Sequence, residues 1–293
     1  NYITIQDLRI LNSYGRGIDV TGGGTGYYVT RNYVQDSYEN GMNFRNCLDE
    51  FEISYNELRS TNESNSGASI QVVGSDSATP CASTTNGWVH HNTVIESQNE
   101  GIDIIKGIQN VIVEYNTVMS TDQPHIYFDR NVRYSTIRHN LVYGFYGQSG
   151  SAGPGIKIED ESATSGDDGS AYAGSIGNKV HSNLVVNCAS GILFNAQHAD
   201  ATFNEMKIFN NTLIDNGRSS DNGANLKAFD ITPGSDSNVK NNISWITASP
   251  LTGSYAQHAA VPTHAGTTFS YNLFTGDSGV VDTDAQSSTD PGY

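Results

Sequence analysis

The sequence predicts an all-β protein, a right-handed parallel β-helix forming one solenoid of about ten coils over residues 1–293. Three observations predict it. A short phrase, asparagine followed by any residue and then a branched or apolar one, recurs along the chain. It reads Asn32-Tyr33-Val34, Asn56-Glu57-Leu58, Asn92-Thr93-Val94, Asn116-Thr117-Val118 and Asn140-Leu141-Val142, then Asn183, Asn211, Asn242 and Asn272. The intervals are 24, 36, 24, 24, 43, 28, 31 and 30 residues, a recurring short unit lengthened by polar insertions. Each unit holds three brief segments with period-two alternation, and no stretch sustains a 3.6-residue apolar period with caps.

Taken in chain order, each unit opens with a segment such as Val111-Ile112-Val113 before the asparagine. A second segment follows the asparagine. A third comes after a turn and begins with glycine: Gly17-Ile18-Asp19-Val20, Gly41-Met42-Asn43-Phe44, Gly101-Ile102-Asp103-Ile104, Gly155-Ile156-Lys157-Ile158, Gly191-Ile192-Leu193-Phe194. Strands this short cannot bury a face alone, so they must stack coil on coil into parallel sheets. The glycine supplies the turn into the third strand. The repeated asparagine reads as an internal ladder, since a stacked row of amides satisfies itself where a single buried one would be costly. A leucine-rich solenoid would need a helical or leucine-patterned return limb, which is absent.

Net charge of −16 argues against nucleic acid, whose phosphates call for a basic face. No apolar run approaches the ~20 residues of a membrane span. This composition suits a secreted, extracellular protein, expected to be a monomer. The chain opens inside a strand-like pattern at Ile3-Thr4-Ile5 and stops at Asp290-Pro291-Gly292-Tyr293, without the caps a solenoid needs. A single domain cut from a longer protein is the expectation. Of the three cysteines, Cys47 and Cys81 follow equivalent strands and are placed to form a disulfide or remain thiols, whereas Cys188 reads as a buried thiol. Polar insertions at Ser60–Ser66, Ser75–Asn86, Phe145–Pro154, Ser162–Gly174, Gly217–Asn225 and Ser249–Thr267 are expected to wall a groove. Tyr146, Tyr172 and Tyr255 within them could stack on sugar rings, or the loops are tolerated excursions.

Aligning the third strands places Asp19, Asn43, Gln71, Asp103, Tyr127, Lys157, Leu193 and Asp230 in one outward row. Thr21, Arg45, Val73, Ile105, Asp129, Glu159 and Asn195 form the next, and Lys106, Arg130 and Asp160 stand where the chain turns. Three consecutive coils then concentrate Asp103, Lys106, Tyr127, Asp129, Arg130, Lys157 and Glu159. Three of the chain's fifteen basic residues fall in this patch. An ion-pair ladder that merely stabilises the stack is the plain reading. The chemical reading is β-elimination on a uronic-acid polysaccharide. It needs a cation for the carboxylate, a base for the C5 proton and an acid for the leaving oxygen. Lys106 beside the Arg130 guanidinium suits base and cation, because a neighbouring like charge disfavours a protonated amine. Tyr127 or Arg130 could deliver the proton. Asp129, Glu159 and Asp160 offer carboxylate oxygens for Ca²⁺. Asp103, Lys157, Asn195, His125 and Arg45 are expected to contact a bound oligosaccharide. For His125 a turn histidine satisfied by the backbone is the favoured reading. His90 and His91, one residue apart in a strand, are expected on opposite faces.

The repeat with its asparagine ladder resembles the pectate-lyase-like β-helix superfamily over essentially the whole chain. The segment IDIIKGIQNVIVEYNTVMSTDQPHIYFDRNVRYSTIRHNLVYG is similar to the alginate lyase and chondroitinase B family. In that family a lysine after one strand and an arginine after the next coil's strand act as base and acid, and the resemblance places those roles on Lys106 and Arg130. The family's metal-binding acidic pair falls where this chain has Asn99 and Gly101, with Glu100 between them, and the lysine-to-arginine spacing here is a few residues longer.

Two other classes remain open. Asp103 and Asp129, one coil and two residues apart, lie roughly 8 Å from each other by ideal spacing. That falls within the range of inverting glycoside hydrolases. A non-catalytic carbohydrate-binding solenoid needs no reacting pair. An epimerase would use nearly the groups of a lyase.

Overall fold

The computed structural model describes residues 2–22, 24–46, 48–64, 67–74, 86–144, 153–160, 174–196, 203–216, 227–231, 237–245, 257–260, 267–275 and 286–287. Across these the chain is a parallel β-solenoid. A first sheet of ten strands runs from Ile3–Gln6 to Thr267–Ser270. A second sheet of eleven runs from Arg9–Leu11 to Gln286–Ser287, and a third of nine from Ile18–Thr21 to Gln257–Ala260. A two-stranded pair joins Ser175–Ile176 to Phe203–Asn204.

The core follows from the alternation. In the first sheet Val29, Ile53, Val89, Val113 and Ile137 stack in register. In the third sheet Ile70, Ile102, Ile126, Ile156 and Ile192 do the same, with Val72, Ile104, Phe128, Ile158 and Phe194 two residues on. All these side chains are buried. Each contributes about 1.5–3 kcal/mol relative to exposure, so stability is spread over these stacked coils rather than held in one centre.

Between the first and second sheets the chain bends through one left-handed residue: Asp7, Arg31, Tyr55, His91, Tyr115, His139, Ser182, Asn210, Asn241 and Tyr271 all have φ between 53° and 57°. The next residue is the ladder asparagine in every coil but the first, where Leu8 stands and donates its N–H to Asn32 Oδ1 at 3.1 Å. From Asn56 on, the Oδ1 accepts both the backbone N–H and the side-chain Nδ2–H of the asparagine one coil earlier. Asn92 thus donates to Asn116 at 2.9 and 3.0 Å, and Asn116 to Asn140 at the same distances. A further Nδ2–H bond reaches a carbonyl of the preceding coil, as from Asn116 to Val89 at 2.9 Å. The ladder is continuous from Asn32 to Asn272.

Two local expectations change. The glycines before the third strands do not adopt left-handed backbone. They are required by close approach: a Cβ on Gly17 would lie 2.5 Å from the Gly41 carbonyl, and one on Gly101 2.4 Å from the His125 carbonyl. His90 and His91 do not face apart. The left-handed backbone at His91 breaks the pleat and turns its Nδ1 to within 2.8 Å of His90 Nδ1. Cys188 is buried, its Sγ 3.5 Å from the Val186 carbonyl, and burial pushes its thiol pKa up. Cys47, Cys81 and most of the polar insertions, with Tyr146, Tyr172 and Tyr255, lie outside the described residues.

Candidate active site on the third sheet

The third-sheet strands Glu100–Ile105, Ile126–Asp129 and Ile156–Asp160 lie directly over one another, pairing Asp103 with Tyr127 and Tyr127 with Lys157, then Ile105 with Asp129 and Asp129 with Glu159. The expected rows are therefore one surface. Its first row begins Asp19, Asn43, Gln71, and its second Thr21, Arg45, Val73. Because Ile102, Ile104, Ile126 and Phe128 occupy the core, the intervening Asp103 and Tyr127 point away from it.

The surface is not an open polar face. Asp103, Tyr127, Asp129 and Glu159 are 3%, 5%, 3% and 0% exposed. Glu159 is its hub. One carboxylate oxygen accepts the Tyr127 hydroxyl and pairs with Lys157 Nζ, and the other accepts Asn195 Nδ2–H. Lys157 Nζ also lies 5.0 Å from the Tyr127 ring centroid, a cation–π contact that fixes the ring. Asp103 accepts from Gln71 Nε2 at 2.9 Å, and Gln71 accepts from Asn40 at 3.2 Å, so hydrogen bonds run along the axis across successive coils.

Lys106 and Arg130 lie one residue beyond the strands, at the edge of this layer. Both have left-handed backbone, with φ of 68° and 51°. Lys106 N–H donates to the Asp129 carbonyl at 3.2 Å and Gly107 N–H to the Arg130 carbonyl at 2.9 Å, which seats one turn on the other. Both side chains are half-buried, and Arg130 Nε is 3.5 Å from Asp129 Oδ2. Two cationic side chains at the mouth of a carboxylate-rich layer can hold an anionic group.

Other expected site residues are placed differently. His125 does not reach the outer surface. It occupies the glycine row, aligned with Gly101 and Gly155, and is fully buried. Its Nδ1 bonds the Pro154 carbonyl at 2.9 Å, and Nε2 faces Thr121 N–H at 3.5 Å. Desolvation lowers its pKa to about 4. Arg45 stands three coils from Asp129 in the same row and pairs with Asp19 at 3.5 Å, beside Arg16, outside the cluster. The side chain of Asp160 is outside the described residues. Tyr127, expected as one of two candidates for proton delivery, is buried with its hydroxyl donated to Glu159.

Two of the three carboxylates expected to hold Ca²⁺, Glu159 and Asp129, are already engaged by other side chains. The Glu159 oxygens are engaged by an ammonium, a phenol and an amide, and Asp129 sits against a guanidinium. Among the described residues no group of three His, Cys, Asp or Glu side chains is placed to hold a metal. Sequence reasoning placed Gln71 in the outward row but not in the cluster, and did not single out Asn40; only the hydrogen bonds show that the two continue the layer.

No family model matches the chain, and no curated protein does either. Among solved structures the chain is similar to a mutant of the DFA-IIIase from Arthrobacter chlorophenolicus A6, crystallised with DFA-III. The TM-score is 0.54 at 13% identity, over 98% of this chain and 74% of that one. The likeness is one of fold. No helix among the described residues is long and apolar enough to cross a membrane.

Proposed function

We propose that this solenoid is an extracellular polysaccharide-active protein and that it cleaves a uronic-acid-containing chain by β-elimination. One observation supports the reading above the rest: the Lys106 and Arg130 turns are stacked in adjacent coils at the margin of a layer whose carboxylates are already matched internally. Arg130 binds the uronate carboxylate and stabilises charge developing there. Lys106 takes the C5 proton, and the electron pair left on C5 forms the C4–C5 double bond as the C4–O bond breaks. The leaving oxygen is protonated by a group at the rim, for which Arg130 is placed. Glu159 acts through others, holding Tyr127, Lys157 and Asn195 as a floor for the sugar. A DFA-IIIase holding DFA-III on a solenoid of this fold supports a saccharide as the ligand.

A glycoside hydrolase is the second reading, favoured by the Asp103 and Asp129 offset. They stand one coil and two residues apart, which by ideal spacing is roughly 8 Å between backbones; inverting carboxyl groups stand about 6.5–9.5 Å apart. Incubation with a panel of acidic and neutral polysaccharides separates the readings. Elimination gives products with the ultraviolet absorbance of an unsaturated uronate. Reducing ends without that absorbance establish hydrolysis, and binding with neither removes catalysis altogether.

A further inference from the structure

The first sheet carries a surface of its own, separate from the third-sheet layer, and Trp88 in the strand Trp88–His90 is its centre. The indole does not stand up from the sheet. Its Nε1–H donates at 2.8 Å to Glu114 Oε1, one coil and two residues on, and its ring lies over His90 with centroids 3.8 Å apart at 32°. One face of the indole thus covers His90, which is 4% exposed, while Trp88 is 42% exposed and keeps its opposite face to solvent. Arg138 Nε fixes Glu114 in turn at 2.6 Å. Trp245, the chain's other tryptophan, is more exposed, and its ring has neither hydrogen bond nor ring contact among the described residues. An acceptor stands beside the held indole. Glu52 pairs with Trp88 from the preceding coil. Its Oε1 accepts from Ser54 Oγ at 2.9 Å and lies 3.2 Å from His90 Nε2, whereas among the described residues nothing donates to Oε2. The half-exposed Tyr28 comes next in the same row, pairing with Glu52. Tyr28 and Trp88 are therefore two coils apart, about 9.6 Å by ideal spacing.

We infer that this row binds a neutral, extended polysaccharide chain laid along the solenoid axis. One pyranose ring stacks on Trp88, the next-but-one ring meets Tyr28, and the ring between them donates a hydroxyl to Glu52 Oε2. The flat C–H face of a pyranose matches an indole face, while its rim of hydroxyls calls for acceptors beside the aromatic ring. Both are present here and both are already fixed. An indole held on one face and at its edge loses little freedom on binding, so most of the contact appears as affinity. Two coils are close to the length of two sugar units in an extended 4-linked chain. Alternate rings of such a chain share an orientation, so one stacking geometry serves both aromatics. Charge selects against a uronate: Arg138 is matched to Glu114, and Glu52 keeps an open negative oxygen that repels a carboxylate but accepts a hydroxyl. The site lies on a different sheet from Lys106 and Arg130, and it stands whether or not those residues carry out elimination.

Fluorescence titration tests this, because the chain has two tryptophans and Trp245→Phe leaves Trp88 as the one emitting indole. The probes are β-1,4-linked gluco-, manno- and xylo-oligosaccharides of two to six units, with hexagalacturonate as the acidic comparison. A saturable change in Trp88 emission is expected with at least one neutral series. Affinity should step up from the disaccharide to the trisaccharide, the shortest chain that reaches both aromatics. Tyr28→Ala in the same background is expected to abolish that step and leave disaccharide binding in place, a pattern that misfolding cannot produce. By calorimetry, Trp88→Ala should weaken binding of the neutral hexasaccharide more than about tenfold. Lys106→Ala should bind it like wild type, which keeps this outcome separate from the fate of the elimination reading. No change in Trp88 emission with any neutral series up to about 10 mM overturns the inference. Wild-type affinity in Trp88→Ala does so as well, and hexagalacturonate binding as tightly as the neutral chains overturns the assignment to a neutral ligand.

Discussion

The backbone N–H of Lys106 donates to the carbonyl of Asp129, the residue preceding Arg130, and that bond of 3.2 Å sets the lysine turn over the arginine turn. The two cations belong to separate coils, 24 residues apart in sequence, and only the stacking brings them together.

Lys106→Ala and Arg130→Ala are each expected to lower kcat/KM by about 10² or more, the usual contribution of one positioned acid–base or charge-stabilising group. Circular dichroism should show an unchanged β signal, because both residues follow their strands rather than filling the core. The double variant should be little worse than the worse single one, since the groups act as a unit. Wild-type rates in either single variant would remove the elimination mechanism.

Glu159 is the charge on which the buried layer turns. Glu159→Ala leaves Lys157 without its carboxylate and the Tyr127 hydroxyl without its acceptor, an expected loss of about 3–5 kcal/mol in chemical denaturation. Replacing both members, Glu159→Leu with Lys157→Met, should cost clearly less than the alanine variant, because an unpaired buried charge costs more than a missing pair. Equal losses would show that Glu159 is not a charge hub.

Asn116→Leu tests the ladder. It leaves the N–H and Nδ2–H of Asn92 facing an apolar side chain, and the Val89 carbonyl without its donor. Each orphaned buried group costs about 1–3 kcal/mol, so a loss of several kcal/mol is expected by urea denaturation. A loss below about 1 kcal/mol would show that the asparagine row is replaceable packing.

Acid should weaken the fold through His125. Its folded pKa of about 4 lies below the unfolded value of 6.5, so between these the unfolded chain binds a proton that the folded chain does not. Stability conferred by the neutral ring is complete above pH 6.5 and declines as pH falls toward 4, by on the order of 3 kcal/mol. Thermal melts of wild type and His125→Asn across this window should show the variant losing much of that slope.

Chelation addresses the Ca²⁺ expectation. With Glu159 and Asp129 matched to Lys157 and Arg130, activity is expected to survive exhaustive treatment with EDTA. Loss of activity restored by Ca²⁺ would show a site built from other groups.

Register was legible in the sequence because two residue types mark the phase of each coil. The asparagine row fixes the second strand and the glycine row the third, so Asp103, Tyr127 and Lys157 align without coordinates. Burial was not legible. Alternation says that Glu159 points away from the core, but not that Lys157, Tyr127 and Asn195 close around it. For His125 the backbone-satisfied alternative holds, its Nδ1 on the Pro154 carbonyl; its full burial was not legible, because one histidine replaces a glycine between two glycine rungs and the pattern gives no sign that a ring fits there. His90 and His91 were misread because left-handed backbone at a corner cancels the alternation on which the reading relied.

Between its own amides the asparagine ladder has a direction: from Asn32 to Asn242 each rung donates to the Oδ1 of the following rung, and from Asn56 on each accepts from the one before. An identical 24-residue turn spliced between Asn92 and Asn116 would therefore arrive with its own donor and acceptor already matched to both neighbours. Lengthening or shortening by whole turns requires no new hydrogen-bond partner at that row, so the rod can change length by duplication while its cross-section stays the same.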